Sequence, residues 1–350
     1  MRFSTPQKKF YEKNNNINVL IIGNDYHDSL EASYYYAFNR LGFNSHIISL
    51  NKIYEKIFFK VYNKFIVPSS KLRLKFPYIN VKDFDQQYFC QKYDLIIFFS
   101  ITSISTKVLL RFRDLTKNLF FIFADNPLYK KYKQLEMLTN SKIFDYVFLW
   151  SEKLVSQYKK FSKNCIFLDF AWDVNTFPNS IKDEKPQNNL IFIGGWDKYR
   201  EKDIRSINQL GIDIKIYGPS IYWSQIKEFK KIYQHEIRSS ESSNLICNNI
   251  NLNLQREQNN LAEGLNMRVY ETIGSGGILI TKKIEGLKKI SIDLYNDLTY
   301  EEINQIPSLY ENIITNLEYY NQLSIELFEN IKKDHTYLNR SLKILEHRSD

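Results

Sequence analysis

Asn251-Leu-Asn-Leu-Gln-Arg-Glu-Gln-Asn-Asn-Leu-Ala-Glu-Gly-Leu-Asn-Met-Arg-Val-Tyr-Glu-Thr-Ile-Gly-Ser-Gly-Gly-Ile-Leu-Ile-Thr281 holds a strand, a polar loop, a short helix, a glycine-rich turn and a second strand. A strand, a helix and another strand within one short stretch form a crossover unit, which parallel sheets require. The start of such a helix presents unpaired N–H groups and a partial positive charge, so it suits a diphosphate. Arg268 falls near that first turn and can add a cation. Glu271, one turn later on the same face, can accept hydrogen bonds from both hydroxyls of a ribose or, alternatively, pair with Arg268.

The same alternation extends in both directions. Ile17–Gly23, Phe43–Leu50, Tyr93–Ser100, Asn118–Ala124, Phe144–Trp150 and Cys165–Phe170 read as short buried strands. Helices over Leu30–Leu41, Ser105–Thr116 and Glu152–Phe161 separate some of them, the first closed by Gly42. Trp172-Asp-Val-Asn-Thr-Phe-Pro178 and the polar stretch to Asn189 read as a linker. A second series then begins at Leu190–Trp196, with strands at Ile212–Tyr217, Asn249–Leu254 and Gly277–Thr281 and helices at Ile204–Leu210, Ile221–Tyr233 and Arg268–Ile273. The expectation is two α/β domains, 1–172 and 173–334.

Composition narrows the class. The chain has 350 residues, 43% hydrophobic and 25% charged, enough for two cores and unlike a disordered chain. No apolar run reaches the roughly 18 residues of a membrane span, and no signal peptide is read at the start. Cys90, Cys165 and Cys247 fit neither a disulfide framework nor a zinc spacing. The protein is therefore expected in the cytoplasm. Residues 1–170 carry 26 Lys+Arg against 14 Asp+Glu, whereas the remainder is slightly acidic, so the positive potential belongs to the first half and suits an acidic partner. Within it, Lys52, Lys56, Lys60 and Lys64 form a helical stripe beside Ile53, Ile57, Phe58, Val61 and Phe65. Such a stripe in 51–76 fits either a peripheral contact with an anionic membrane or the solvated face of a core-packed helix. No nucleic-acid motif accompanies it, and no nucleic-acid partner is expected.

Gly264-Leu-Asn-Met-Arg-Val-Tyr-Glu271, followed by its small-residue turn, resembles the donor-binding segment of GT-B glycosyltransferases, and among them the CgeB-like (spore-maturation) family. Phe123-Ala-Asp-Asn-Pro127, Trp172–Pro178, Phe192-Ile-Gly-Gly195 with Arg200, Ile216-Tyr-Gly218 and His335-Thr-Tyr-Leu-Asn-Arg340 resemble further segments of that family in the same order. The resemblance implies two Rossmann-like α/β/α domains facing each other across a cleft. It also implies that the last helix, 335–348, packs back on the first domain. A nucleotide-diphosphate sugar, with a UDP-sugar as first choice, would bind the second domain through Gly194, Gly195, Arg200, Tyr217, Gly218, Arg268 and Glu271. The first domain would hold a glycan, lipid-linked or protein acceptor.

Asp125 and His27, at strand ends in the first half, are the candidates for the base that an inverting transfer needs, and Glu263 is the candidate contact to the donor sugar. Glu263 and Glu271 also match the Glu-x7-Glu spacing of many retaining enzymes, so the stereochemistry stays open. No Asp-x-Asp motif follows a strand, so neither a metal nor another cofactor is expected. The turn after the first strand, Gly23-Asn-Asp-Tyr-His-Asp-Ser, has one glycine where the family has several. A sugar-nucleotide epimerase and a non-catalytic binding or assembly protein remain the alternatives.

Overall fold

The computed structural model describes residues 17–62, 78–100, 104–129, 140–180, 187–237 and 239–349. Two compact units emerge, Met1–Leu168 with Ser341–Asp350, and Asp169–Arg340.

The first unit runs β1 (Asn18–Gly23), α1 (Leu30–Arg40), β2 (Asn44–Ser49), α2 (Leu50–Tyr62), β3 (Leu95–Phe98), α3 (Thr106–Arg113), β4 (Leu119–Ile122), β5 (Tyr146–Leu149), α4 (Glu152–Tyr158) and β6 (Cys165–Phe167). Its six strands are all parallel, in the order β2-β1-β3-β4-β5-β6. β3 and β4 are buried throughout, because helices cover both faces of such a sheet and the strands therefore read as unbroken apolar runs. Edge-to-face rings among Phe84, Phe98, Phe112 and Phe144 fill one side, with centroids 5.3–5.6 Å apart. The C-terminal residues complete this unit. His347 lies 4.9 Å from the Tyr146 ring, and the Ser349 N–H donates to Asn118.

The second unit runs β7 (Leu190–Ile193), α5 (Lys198–Gln209), β8 (Ile214–Tyr217), α6 (Ser220–Trp223), α7 (Ser239–Cys247), β9 (Ile250–Asn253), α8 (Glu257–Ala262), α9 (Met267–Gly274), β10 (Ile278–Lys282), α10 (Ile292–Asp297), β11 (Thr299–Tyr300), α11 (Ile306–Thr315) and α12 (Leu317–Asp334). Helix α13 (Tyr337–Leu345) begins here and ends in the first unit. The five parallel strands take the order β11-β10-β9-β7-β8. Counted within its own unit, each sheet places its second strand outside its first and its third on the other side. Each therefore has a topological switch point, β1/β3 and β7/β9, where open α/β sheets bind ligands at the strand C-termini.

Three expectations change. The segment Trp172–Pro178 is a packed element rather than a linker. Asp173 accepts from the N–H groups of Asn175 and Thr176 and from the Thr176 hydroxyl, and the Trp172 indole donates to the Phe177 carbonyl, closing the loop on itself. The boundaries fall at Leu168/Asp169 and Arg340/Ser341 instead of 172/173 and 334/335. The reason is that Trp172 N–H bonds the His335 carbonyl, while the buried Arg340 bonds the Asp169 and Phe170 carbonyls, tying both segments into one core. The helix read over Ile221–Tyr233 stops at Trp223. Residues 232–235 instead hydrogen-bond along the edge of β8, which needs partners for its backbone.

The lysine stripe lies on α2, where Lys52 and Lys56 are exposed and Ile53 is buried. Side chains beyond residue 57, and 63–77 altogether, lie outside the described residues. Among the described residues no helix is long and apolar enough to cross a membrane.

Candidate functional site

The switch point of the second unit gathers most of the candidate residues. β7 ends at Ile193 and the chain turns through Gly194 and Gly195. Asp197 then caps α5 by accepting the Tyr199 N–H. One turn into α5, the buried Arg200 reaches back: Nε donates to the Leu254 carbonyl (2.8 Å) and Nη1 to the Gly195 carbonyl (3.0 Å). Its guanidinium thereby joins the loop after β7 to the loop after β9. Burial, with Arg256 and Arg268 nearby and Asp197 opposing, pulls its pKa down to about 9. That still leaves it charged at neutral pH, a cation held where cations are disfavoured.

Arg256, the second residue of the loop after Leu254, was not foreseen. A Cβ on Gly195 would lie 3.3 Å from its Nη2, so it approaches the glycine turn directly. The available sequence signal was its place just beyond the C-terminal end of a parallel strand, where such sheets bind ligands. Arg268 stands on the first turn of α9 and pairs with Glu271, Nη1 to Oε2 at 3.2 Å, as the i,i+3 spacing allows. This contact lacks hydrogen-bond geometry, so the buried Nη1 keeps an unused proton. The Arg268 guanidinium lies over the Phe177 ring, 5.5 Å from its centroid, which makes the former linker a wall of the site.

The start of α9 is left uncapped by side chains. Asn266, at the cap position, instead donates through Nδ2 to Asn253 Oδ1, and Asn253 Nδ2 donates in turn to Thr281 Oγ1. Oε1 of Gln255 and Oδ1 of Asn266 are buried without hydrogen-bond partners. Orphaned acceptors are costly to bury, and these two belong to residues that neighbour Arg256 and Arg268 along the chain.

Tyr217 and Gly218, at the end of β8, lie against the same turn. Gly194 N–H donates to the Tyr217 carbonyl, and a Cβ on Gly218 would come within 2.2 Å of the Gly194 carbonyl oxygen. Gly218 is therefore required by the protein's own packing. The Tyr217 ring is buried and meets His235 edge-on at 5.2 Å, with burial pushing its hydroxyl pKa up. Gly274 and Gly277 admit Trp172 and Ile246, and Gly276 makes the turn with φ +83°. Glu263 is exposed in a left-handed conformation at the end of α8 (φ 52°). Among the described residues no cluster of His, Cys, Asp or Glu is arranged to hold a metal ion.

Asp125 and His27 lie in the first unit, exposed just after β4 and in the loop after β1. Beneath that β1 loop is a residue the sequence reading passed over. Glu31 is 6% exposed and accepts the Asn24 N–H at 2.8 Å, with burial raising its pKa.

Residues 200–346 match the family described as glycosyl transferase-like. No curated protein matches the chain in sequence. In structure the chain is similar to T4 phage β-glucosyltransferase, at 13% identity and a TM-score of 0.55, over 95% of this chain and 100% of that one. It is similar also to the N-terminal domain of Candida albicans trehalose-6-phosphate phosphatase (12% identity, TM-score 0.60, 95% of this chain and 97% of that one). UDP-GlcNAc 2-epimerase from Neisseria meningitidis gives 11% identity and a TM-score of 0.50 over 94% of this chain and 98% of that one. The fold is GT-B, with two Rossmann-like α/β units.

Proposed function

We propose that the protein is a metal-independent glycosyltransferase that takes its sugar from a nucleotide-diphosphate donor, with UDP-sugars as first choice, held at the β7/β9 switch point. The observation that carries this reading is the meeting of Arg200 and Arg256 at one glycine turn at the end of a parallel sheet, with Arg268 near enough to lower the Arg200 pKa further. Loss of a glycosyl group leaves negative charge on the diphosphate. Guanidiniums already fixed around that position stabilise it without reorganising during the reaction. Arg200 is held by two backbone carbonyls, so its charge is pre-placed. The uncapped start of α9 adds N–H donors. Glu271 accepts the ribose hydroxyls.

Glu263 is assigned to the donor sugar, and Asp125 or His27 to the acceptor hydroxyl of a glycan or glycoconjugate. The resemblance to CgeB-like enzymes belongs to this reading, as do the family match over 200–346 and the fold. Isothermal titration with UDP tests it. Arg256→Ala should weaken UDP binding about tenfold or more, the range for a charge-assisted contact, with an unchanged melting temperature. UDP affinity unaffected by Arg256→Ala would overturn the site. UDP released from a UDP-sugar only when acceptor is present separates transfer from epimerisation.

A further inference from the structure

Beside the arginine cluster stands a pair of aromatic rings that the phosphate chemistry does not use. Trp196 follows Gly195 directly, and Tyr222 lies on α6 after β8. The two rings stack nearly parallel, 16° apart with centroids at 5.6 Å, although both are exposed (38% and 51%). Ile221, 70% exposed, extends the apolar surface.

An exposed tryptophan is ordinarily free to reorient, but this one is braced. Its indole N–H donates to Glu201 Oε2 at 2.8 Å. The other oxygen of Glu201 accepts two bonds from Arg205, which also pairs with Glu228 at 3.1 Å. The partner ring is anchored too, since the neighbouring Trp223 indole donates to the Gly194 carbonyl at 2.9 Å. Both rings are therefore one residue away from groups that touch the glycine turn. Order imposed on an exposed apolar surface costs entropy and implies a use for the surface.

Resting on the proposed donor site, we infer that Trp196 and Tyr222 form the platform on which the nucleobase of the donor stacks. A diphosphate on Arg200, Arg256 and Arg268 sits over the ends of β7 and β9, and the rings project from the loops after β7 and β8, on the adjoining side. A nucleoside attached to that diphosphate reaches a flat aromatic surface there. A planar base extends an existing parallel stack with little reorganisation, and every base has a π-face. Affinity for the donor then has two separable parts, charge on the arginines and stacking on the ring pair.

Titration of the full chain with UDP, GDP, CDP and ADP, and with inorganic pyrophosphate as a base-free probe, separates the two. Wild-type protein is expected to bind at least one nucleotide about tenfold more tightly than pyrophosphate. Trp196→Ala should remove most of that advantage while leaving pyrophosphate affinity within about twofold, Tyr222→Ala should remove less, and Trp196→Phe should restore most of it. Far-UV circular dichroism confirms that each variant is folded. Nucleotide affinity unchanged in Trp196→Ala and Tyr222→Ala overturns the platform, as does an equal loss for pyrophosphate. Wild-type protein binding pyrophosphate as tightly as every nucleotide overturns the platform and spares the anion site. Binding of neither probe overturns both.

Discussion

The two units are built on one strand order and prepare opposite crevices. At β1/β3 the turn after the first strand is closed by the protein's own carboxylate, since Glu31 accepts the Asn24 N–H and fills the space above Gly23. Asp25 beside it is held by Lys52 and Ser49. At β7/β9 the equivalent turn is met instead by the guanidiniums of Arg200 and Arg256, with Arg268 near enough to lower the Arg200 pKa further. Topology thus supplies a crevice, and a few side chains decide whether carboxylates or guanidiniums line it. The first unit carries most of the chain's positive charge, yet its switch point is acidic. Net charge along the sequence did not locate the arginine cluster.

Backbone crowding gives the largest test of this contrast. Gly218→Ala should cost about 3 kcal/mol, because its Cβ meets a backbone carbonyl that cannot move, and Gly23→Ala less, because its Cβ meets the Glu31 side chain. Urea unfolding measures both, and equal losses would mean that the two turns are built alike. Arg200→Ala should follow at about 2–3 kcal/mol, for it leaves the Leu254 and Gly195 carbonyls without their donor. Arg200→Lys should not restore this, since an ammonium lacks the fork that spans both loops. A fully stable Arg200→Ala protein would show that the guanidinium serves only ligands.

Acid should produce the smallest effects, with opposite signs in the two units. Burial raises the Glu31 pKa, so ionisation weighs against the first unit as pH rises above the ordinary carboxyl range, and acidification relieves it. Glu31→Gln should therefore gain stability near pH 7 and lose that advantage as pH falls toward about 4. In the second unit, burial and then Arg340 lower the His335 pKa. Stability there is present above about pH 6.5 and drains away as pH falls through the lowered value, and His335→Gln should flatten that slope. Hydrogen exchange, followed separately around α1 and around the start of α13, reads each unit. The same sign in both would break the comparison.

Much of the fold was legible because the signals were local. Unbroken apolar runs such as Leu95–Phe98 mark strands buried on both faces, and nearly every strand was placed to within a few residues. The helix read across Ile221–Tyr233 failed because the edge of β8 claimed residues 232–235, a demand that periodicity along one segment does not register. In the site, Arg268 and Glu271 were readable as partners since helix geometry sets the i,i+3 neighbour. The glycine turn and Arg200 were readable for a similar reason, lying within one strand-to-helix connection.

The sequence by itself determined two α/β series, the glycine turn after β7 and the Arg268–Glu271 pair, because each depends on residues within a turn or two of one another. Only the tertiary structure decided that Arg256 joins Arg200, that Phe177 lies beneath Arg268, and that Glu31 fills the first crevice. Those contacts arise where parallel strands end side by side and where a buried loop folds back. The distance that matters there runs across the sheet rather than along the chain.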